Sequence, residues 1–180
     1  MIRTYNYLFY LLIIIFKPKH IMGNCCKTTF KIHLQHECYC KKDLFKIMNN
    51  PDSFVMIDPT VVKFTSKTKT DNGFEIKQTD WANILCCFLT TDLDESYTIN
   101  ENDRTITIVS PFSSFGFTIN ETDVYTIKQI YGKKDYWLVD YKASVTCSKL
   151  ISSYCKKTYT EDVEKAFGNF DRICSIVNDV

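Results

Sequence analysis

From Trp137 to Val145 the chain alternates without a break, and immediately afterwards its period changes. Trp137, Val139, Tyr141, Ala143 and Val145 share one face, while Leu138, Asp140, Lys142 and Ser144 share the other. Strict alternation marks a strand with one covered face. From about Ser148 the apolar residues recur at helical spacing instead. Leu150, Ile151, Tyr154, Tyr159, Val163, Phe167, Phe170, Ile173 and Val177 trace one stripe, with charged residues mainly off it. A half-covered strand followed by a long one-sided helix must bury the two apolar faces against something, and each is the nearest partner of the other.

The upstream order narrows the choice. Phe30, Ile32, Leu34 and His36 fall on one face of an alternating stretch from Thr28 to Cys38. Lys41 to Asn49 then has helical spacing, and Asn50-Pro51-Asp52 breaks it, since proline disfavours a helical residue before it. Ser53 to Ile57 reads as a second short helical turn ended by Asp58-Pro59. Val61 to Thr68 and Phe74 to Thr79 flank Asp71-Asn72-Gly73, a hairpin signal. Ile84 to Thr90 is continuously apolar and reads as a strand covered on both sides. Further strands are expected over Tyr97–Asn100, Thr105–Ser110, Phe115–Ile119 and Tyr125–Ile127, with a turn at Tyr131–Asp135. Thr158 and Glu161 fit a capping box, so a restart of the last helix is expected there. Gly168 inside that helix has two equal readings, a close backbone approach to a strand or a tolerated glycine.

This order resembles the helix-grip superfamily, which includes START-like lipid-transfer domains and polyketide-cyclase-like proteins. The resemblance covers about Thr28 to Asn178. It is carried by Lys41–Asn49, Asn50-Pro51-Asp52-Ser53-Phe54, Asp58-Pro59-Thr60-Val61, the strand Asp135–Thr146 and the helix Ser148–Val177. The glycine-rich loop of the pollen-allergen branch is absent. The resemblance implies an α+β fold: a curved, mostly antiparallel sheet wrapped around a long C-terminal helix, with two short helices after the first strand. It also implies binding of a hydrophobic molecule (a lipid, sterol or isoprenoid) between sheet and helix. Trp137, Tyr141, Phe117, Tyr154, Phe167, Phe170 and His36 are the expected lining.

Composition agrees with one domain plus an extension. The chain has 180 residues, 45% of them hydrophobic, enough for a substantial core. Its 22 basic and 21 acidic residues nearly balance, which removes the basic footprint of a nucleic-acid binder. Nine cysteines, an odd count without paired zinc spacing, argue against a complete disulfide framework or a structural zinc site, so most read as reduced and buried, with some bridges left open if the chain is secreted.

Residues 1–27 read as a targeting or anchoring segment plus linker, and 28–180 as the domain. Tyr7–Phe16 is apolar but shorter than the roughly 20 residues a spanning helix needs. With Arg3 before it, the stretch fits a signal peptide, although Lys17, Lys19 and His20 sit where a cleavage site is usually neutral. A signal anchor extending through Ile21 and Met22 is a second reading. The third begins translation at Met22: Gly23, Cys25 and Cys26 then suit dual acylation, with a hydroxyl residue one place late. Secretory or membrane-associated localisation ranks first, and a cytosolic acylated protein is the alternative. Asn120-Glu121-Thr122 is a glycosylation sequon, meaningful only in the secretory pathway.

Chemistry is poorly signalled. There is no G-x-S-x-G, P-loop or zincin motif. His20, His33 and His36 are the three histidines. Asp92, Asp94 and Glu95 read as a solvated acidic loop. The expected partner is a hydrophobic small molecule, with a membrane surface as a second partner, no nucleic acid, no cofactor and no metal. Binding ranks above catalysis. The alternatives are a cyclase- or hydrolase-like enzyme on the same fold and a secreted interaction protein without a cavity. A polar interior favours the enzyme and a dry aromatic one the carrier.

Overall fold

A computed structural model describes residues 27–58, 61–84, 87–114, 117–149 and 152–179. Tyr7–Phe16, Gly23, Cys25 and Cys26 lie outside them. The described elements run β1 (Lys27–Tyr39), α1 (Leu44–Met48), α2 (Pro51–Ile57), β2 (Val61–Thr70), β3 (Gly73–Ile84), β4 (Cys87–Asn100), β5 (Thr105–Ser114), β6 (Phe117–Gln129), β7 (Tyr136–Ser148) and α3 (Ser152–Asn178). The seven strands form one sheet in the order β1-β7-β6-β5-β4-β3-β2, with every pairing antiparallel. A seven-stranded antiparallel sheet, two short helices after its first strand and a long C-terminal helix are the helix-grip fold. Among the described residues no helix is long and apolar enough to cross a membrane.

Local chemistry explains the elements. Asp43 caps α1, its carboxylate accepting from the backbone N–H groups of Phe45 and Lys46. Asn50 caps α2 and Pro51 takes the first turn, where its missing N–H costs nothing. At the β2–β3 hairpin a Cβ on Gly73 would stand 1.7 Å from the carbonyl oxygen of Tyr97, so only glycine allows that approach. Arg104 ties the small helices to the sheet. Its guanidinium pairs with Asp43, donates to the Ile127 carbonyl at 3.0 Å and lies over the rings of Phe45 and Trp137.

The alternation of β7 has its expected consequence. Trp137, Val139, Tyr141, Ala143 and Val145 are all buried, and on the outer face Asp140 meets polar partners. Partial burial pushes the Asp140 carboxyl up, but hydrogen bonds from Gln35, His33 and Lys142 outweigh it and bring it down to about 2. The core lies between this inner face and α3, joined from the side by Leu44, Phe45, Met48, Phe54 and Ile57.

Three local expectations are corrected. The last helix does not restart at Thr158; Ser152–Asn178 is one helix of 27 residues, whose continuous stripe packs on the sheet. Ile84–Thr90 is not one strand. Its ends belong to two antiparallel strands, β3 and β4, which pair Ile84 with Cys87. Gly168 approaches no strand: it is exposed, and a Cβ there meets nothing within 4 Å. Gly168→Ala is therefore expected to stabilise the protein by about 0.5–1 kcal/mol, read as a higher urea midpoint at unchanged slope.

Candidate functional site in the acidic interior

The inner face of the sheet carries a polar band that periodicity alone did not reveal. Strand pairing sets Ser110 opposite Glu121, and Glu121 opposite Val145. The next row sets Tyr97 opposite Ile108, Ile108 opposite Asp123, and Asp123 opposite Ala143. Glu95, Ser110 and Asp123 are buried, as are Gln78 and Asp80 on β3. Glu95 therefore does not belong to a solvated loop. It sits on β4 facing inward, whereas Asp92 and Asp94 on the same strand face solvent.

Three hydrogen-bonded groups make up the band. Glu95 accepts from the Ser110 hydroxyl at 2.6 Å on one oxygen and from the Tyr97 hydroxyl at 2.9 Å on the other. Asp123 Oδ1 lies 2.9 Å from the Tyr141 hydroxyl and 2.7 Å from that of Tyr159, which reaches down from α3. Glu121 lies beside this group, where Asp123 and Tyr159 both act on its carboxyl. Gln78 donates to Asp80 at 3.2 Å through its amide nitrogen, and its Oε1 is buried with no hydrogen-bond partner.

Burial decides the protonation. It pushes Glu95 up to about 7, against the pull of Ser110 and Tyr97, and the charges of Asp58 and Asp80 push the same way. Burial, followed by the charge of Asp123, holds Glu121 well above the usual carboxylate range. Burial also raises Asp123. Asp123 accepts from tyrosine hydroxyls that stabilise its charged form, so Glu121 is the member of the pair that keeps a proton. Tyr97, Tyr125, Tyr141 and Tyr159 are themselves pushed upward, chiefly by burial, and remain donors. Glu121 and Tyr159, on the side of the first turns of α3, are less enclosed than Glu95 and Asp123.

The expected lining residues divide between this band and packing elsewhere. Tyr141 belongs to it through its hydroxyl. Phe167 packs edge-on against Tyr141 at 6.3 Å, and Phe170 lies 6.2 Å from Tyr125. His36 stacks on Phe167 at 5.1 Å with Nε2 3.0 Å from Asp171 Oδ1, half-buried under the middle of the helix. Trp137 stands at the far end, where its indole N–H donates to the Cys40 carbonyl at 2.9 Å. The side chains of Phe117 and Tyr154 lie outside the described residues. Asn120 is exposed on β6. Among the described residues no group of His, Cys, Asp and Glu side chains is arranged to hold a metal ion.

Glu121 and Asp123 were missed although a signal existed. Tyr125 and Ile127 alternate, and extending their parity back two and four residues places Asp123 and Glu121 on the same inner face. Tyr97 points to Glu95 in the same way.

No family model matches the chain, and no curated protein matches it in sequence. Solved structures share its fold. Truncated norcoclaurine synthase from Thalictrum flavum superposes with a TM-score of 0.61 at 12% identity, covering 84% of this chain and 97% of that one. The same enzyme has been solved in complex with dopamine and hydroxybenzaldehyde. A Streptomyces aromatase/cyclase, Zhui, matches with a TM-score of 0.57 at 6% identity, over 81% of this chain and 95% of that one. A conserved protein from Geobacillus kaustophilus matches with a TM-score of 0.62 at 9% identity, over 81% and 95%. The chain thus shares its fold with these proteins.

Proposed function

We propose that this protein binds a hydrophobic molecule between its sheet and α3, and that the molecule carries a hydrogen-bond-donating, cationic end. The observation that supports this is the one-sidedness of the polar band. Glu95, Glu121 and Asp123 are acceptors when ionised, and no lysine, arginine or histidine of the described residues hydrogen-bonds any of them. Gln78 Oε1 is a further buried acceptor without a donor. An ammonium group supplies three donors and a positive charge at once. The rings of Tyr125, Tyr141 and Phe167 beside the band suit the apolar body of such a molecule. That a protein of the same fold is known with dopamine, an aromatic amine, adds support.

Calorimetric titration of the full chain with 4-phenylbutylamine and with its neutral isostere 4-phenylbutanol tests both parts. The amine is expected to bind at least about tenfold tighter, equivalent to about 1.4 kcal/mol. Asp123→Asn, which removes the charge that Tyr141 and Tyr159 stabilise, is expected to reduce it towards the alcohol. Equal affinities overturn the cationic end alone. If neither probe binds, and native mass spectrometry with extracted lipids shows no adduct, hydrophobic-ligand binding itself falls.

One observation favours a second reading, acid–base catalysis in the same interior. A carboxyl at about 7 is poised to exchange a proton near neutral pH. Catalysis would appear as chemical change of a bound amine that Glu95→Gln abolishes while binding persists.

A further inference from the structure

We propose that two copies of this chain pair through the outer edge of β1, antiparallel about a two-fold axis at Leu34, and so join their sheets into one. Among the described residues β1 is a terminal strand, bonded to β7 alone. Its hydrogen-bonding parity is fixed at one end. Cys40 continues the register of the two strands and donates its N–H to the Asp135 carbonyl at 2.7 Å, on the β7 side. The direction of these groups alternates along a strand, so Phe30, Ile32, Leu34, His36 and Cys38 turn their N–H and C=O groups to β7. Thr29, Lys31, His33, Gln35 and Glu37 turn theirs outward. The Tyr39 carbonyl obeys the same parity, accepting from the Asn178 side-chain amide at 3.4 Å. Among the described residues no hydrogen bond reaches the outward main-chain groups from Thr29 to Glu37.

The two edges of the sheet differ. β2, the other terminal strand, is interrupted by two register shifts, and Lys63, Lys67 and Lys69 lie along it. Bulges and lysines are the usual devices that keep an edge from pairing. β1 pairs with β7 over all 13 residues without a shift, so its edge is regular. α3 covers the inner face of the sheet and not this edge: its rings reach past His36 to Tyr141 of β7 and Tyr125 of β6. An unbroken row of outward N–H and C=O groups is a template for another strand, and main-chain bonds supply the affinity.

Charge selects a second copy of the chain and sets the register. Apart from His33, Lys31 and Glu37 are the charged side chains on the exposed face of β1 between Thr29 and Tyr39. With Leu34 on the axis, Lys31 of each copy stands opposite Glu37 of the other, and His33 stands opposite Gln35. Each opposite-charge pair then occurs twice, and outward residues face outward residues, as the main-chain bonds require. A register centred on His33 sets Lys31 against Gln35 and leaves both charges without an opposite partner. Glu37 holds Lys133 of its own copy through Oε2 at 3.0 Å, which leaves Oε1 for Lys31 of the second. On the inner face Leu34 meets its own copy across the axis in a close, non-hydrogen-bonded pair. Phe30, half-buried at the edge like Leu34, gains cover from Cys38 of the second copy.

The experiment is sedimentation of the full chain over about a hundredfold range of concentration, with hydrogen exchange on the same samples. A dimer is expected at the upper end, with the amides of Lys31, His33, Gln35 and Glu37 slowing as it forms. Lys31→Glu and Glu37→Lys each set like charges opposite one another twice, and each is expected to weaken the dimer at least about tenfold. Both positions are exposed, so the fold is kept. Mixed in equal amounts, the two variants restore both opposite-charge pairs and are expected to form a heterodimer as tight as the unsubstituted dimer. A monomer at every concentration overturns the proposal, as does a dimer that both variants leave unchanged or that the mixture fails to restore. Slow exchange of these amides in the monomer also overturns it, because another segment of the chain then occupies the edge. None of these outcomes depends on which ligand the interior takes.

Discussion

Phe170→Ala is expected to lower the free energy of unfolding by about 3–5 kcal/mol, the usual cost of emptying a phenylalanine site in a packed core. Phe170 has no exposed surface. Its ring meets Tyr125 at 6.2 Å and Phe167 at 6.3 Å, joining α3 to the middle of the sheet. Marginal stability makes such a loss a large share of the total for a domain of this size. Urea unfolding measures it, with the denaturant slope required to stay constant so that the change belongs to the native state. A loss below about 1 kcal/mol would mean that Phe170 borders empty space and not packed side chains. That result would withdraw it from the core and return it to the lining of a ligand site. Gly168, two residues earlier on the opposite, exposed side of the helix, is the natural contrast.

The second large effect is on pH dependence. Glu95 titrates near 4.5 when exposed and at about 7 in the folded protein. Below 4.5 it is protonated in both states and contributes no difference. Between these values the unfolded chain releases its proton while the folded one retains it, so the unfolded state binds fewer protons and stability falls as pH rises. Above about 7 the full penalty is present, roughly 3 kcal/mol at 1.36 kcal/mol per pH unit. Glu121 and Asp123 are raised for the same first reason, burial, and act in the same direction. Urea unfolding at pH 5 and pH 8 is expected to show the protein less stable at the higher pH. Glu95→Gln should remove about half or more of that difference, since the amide can still hydrogen-bond Tyr97 or Ser110 without ionising. A pH-independent stability would mean that Glu95 is solvated. Asp140 works in the opposite sense and in another window: held down to about 2, it stabilises the fold above its ordinary value of 3.8 and loses that contribution as pH falls towards 2.

Under the proposed function these buried acids would couple ligand binding to pH. A carboxyl kept from water is costly, and the cost is offset when a donor arrives. Ligand binding and the pH effect are therefore linked: a cationic ligand favours the ionised carboxylates and should take up part of the destabilisation seen at high pH.

Much of the scaffold was legible in the residues. The alternation of Trp137–Val145, the stripe of the last helix, Asn50-Pro51 and the Asn72-Gly73 turn each reflect a local rule, and each rule acts within one element. The errors arose where one segment had two readings of equal local merit. The apolar run at Ile84–Thr90 suited a central strand as well as the ends of two antiparallel strands, and pairing of Ile84 with Cys87 decided it. Asp92, Asp94 and Glu95 looked like a single acidic loop, but alternation on β4 sends Glu95 inward and the other two out.

The amino-acid sequence by itself determined which faces are apolar, where strands give way to helix, and that the fold is a sheet gripping a terminal helix. Those properties depend on neighbours a few positions apart. Only the tertiary structure decided the character of the interior. Asp123 gains its meaning from Tyr141 and Tyr159, 18 and 36 residues away, and Glu95 from Ser110, 15 residues away. The burial that lifts their carboxyls is a property of the assembled sheet and helix, and no stretch of chain carries it alone.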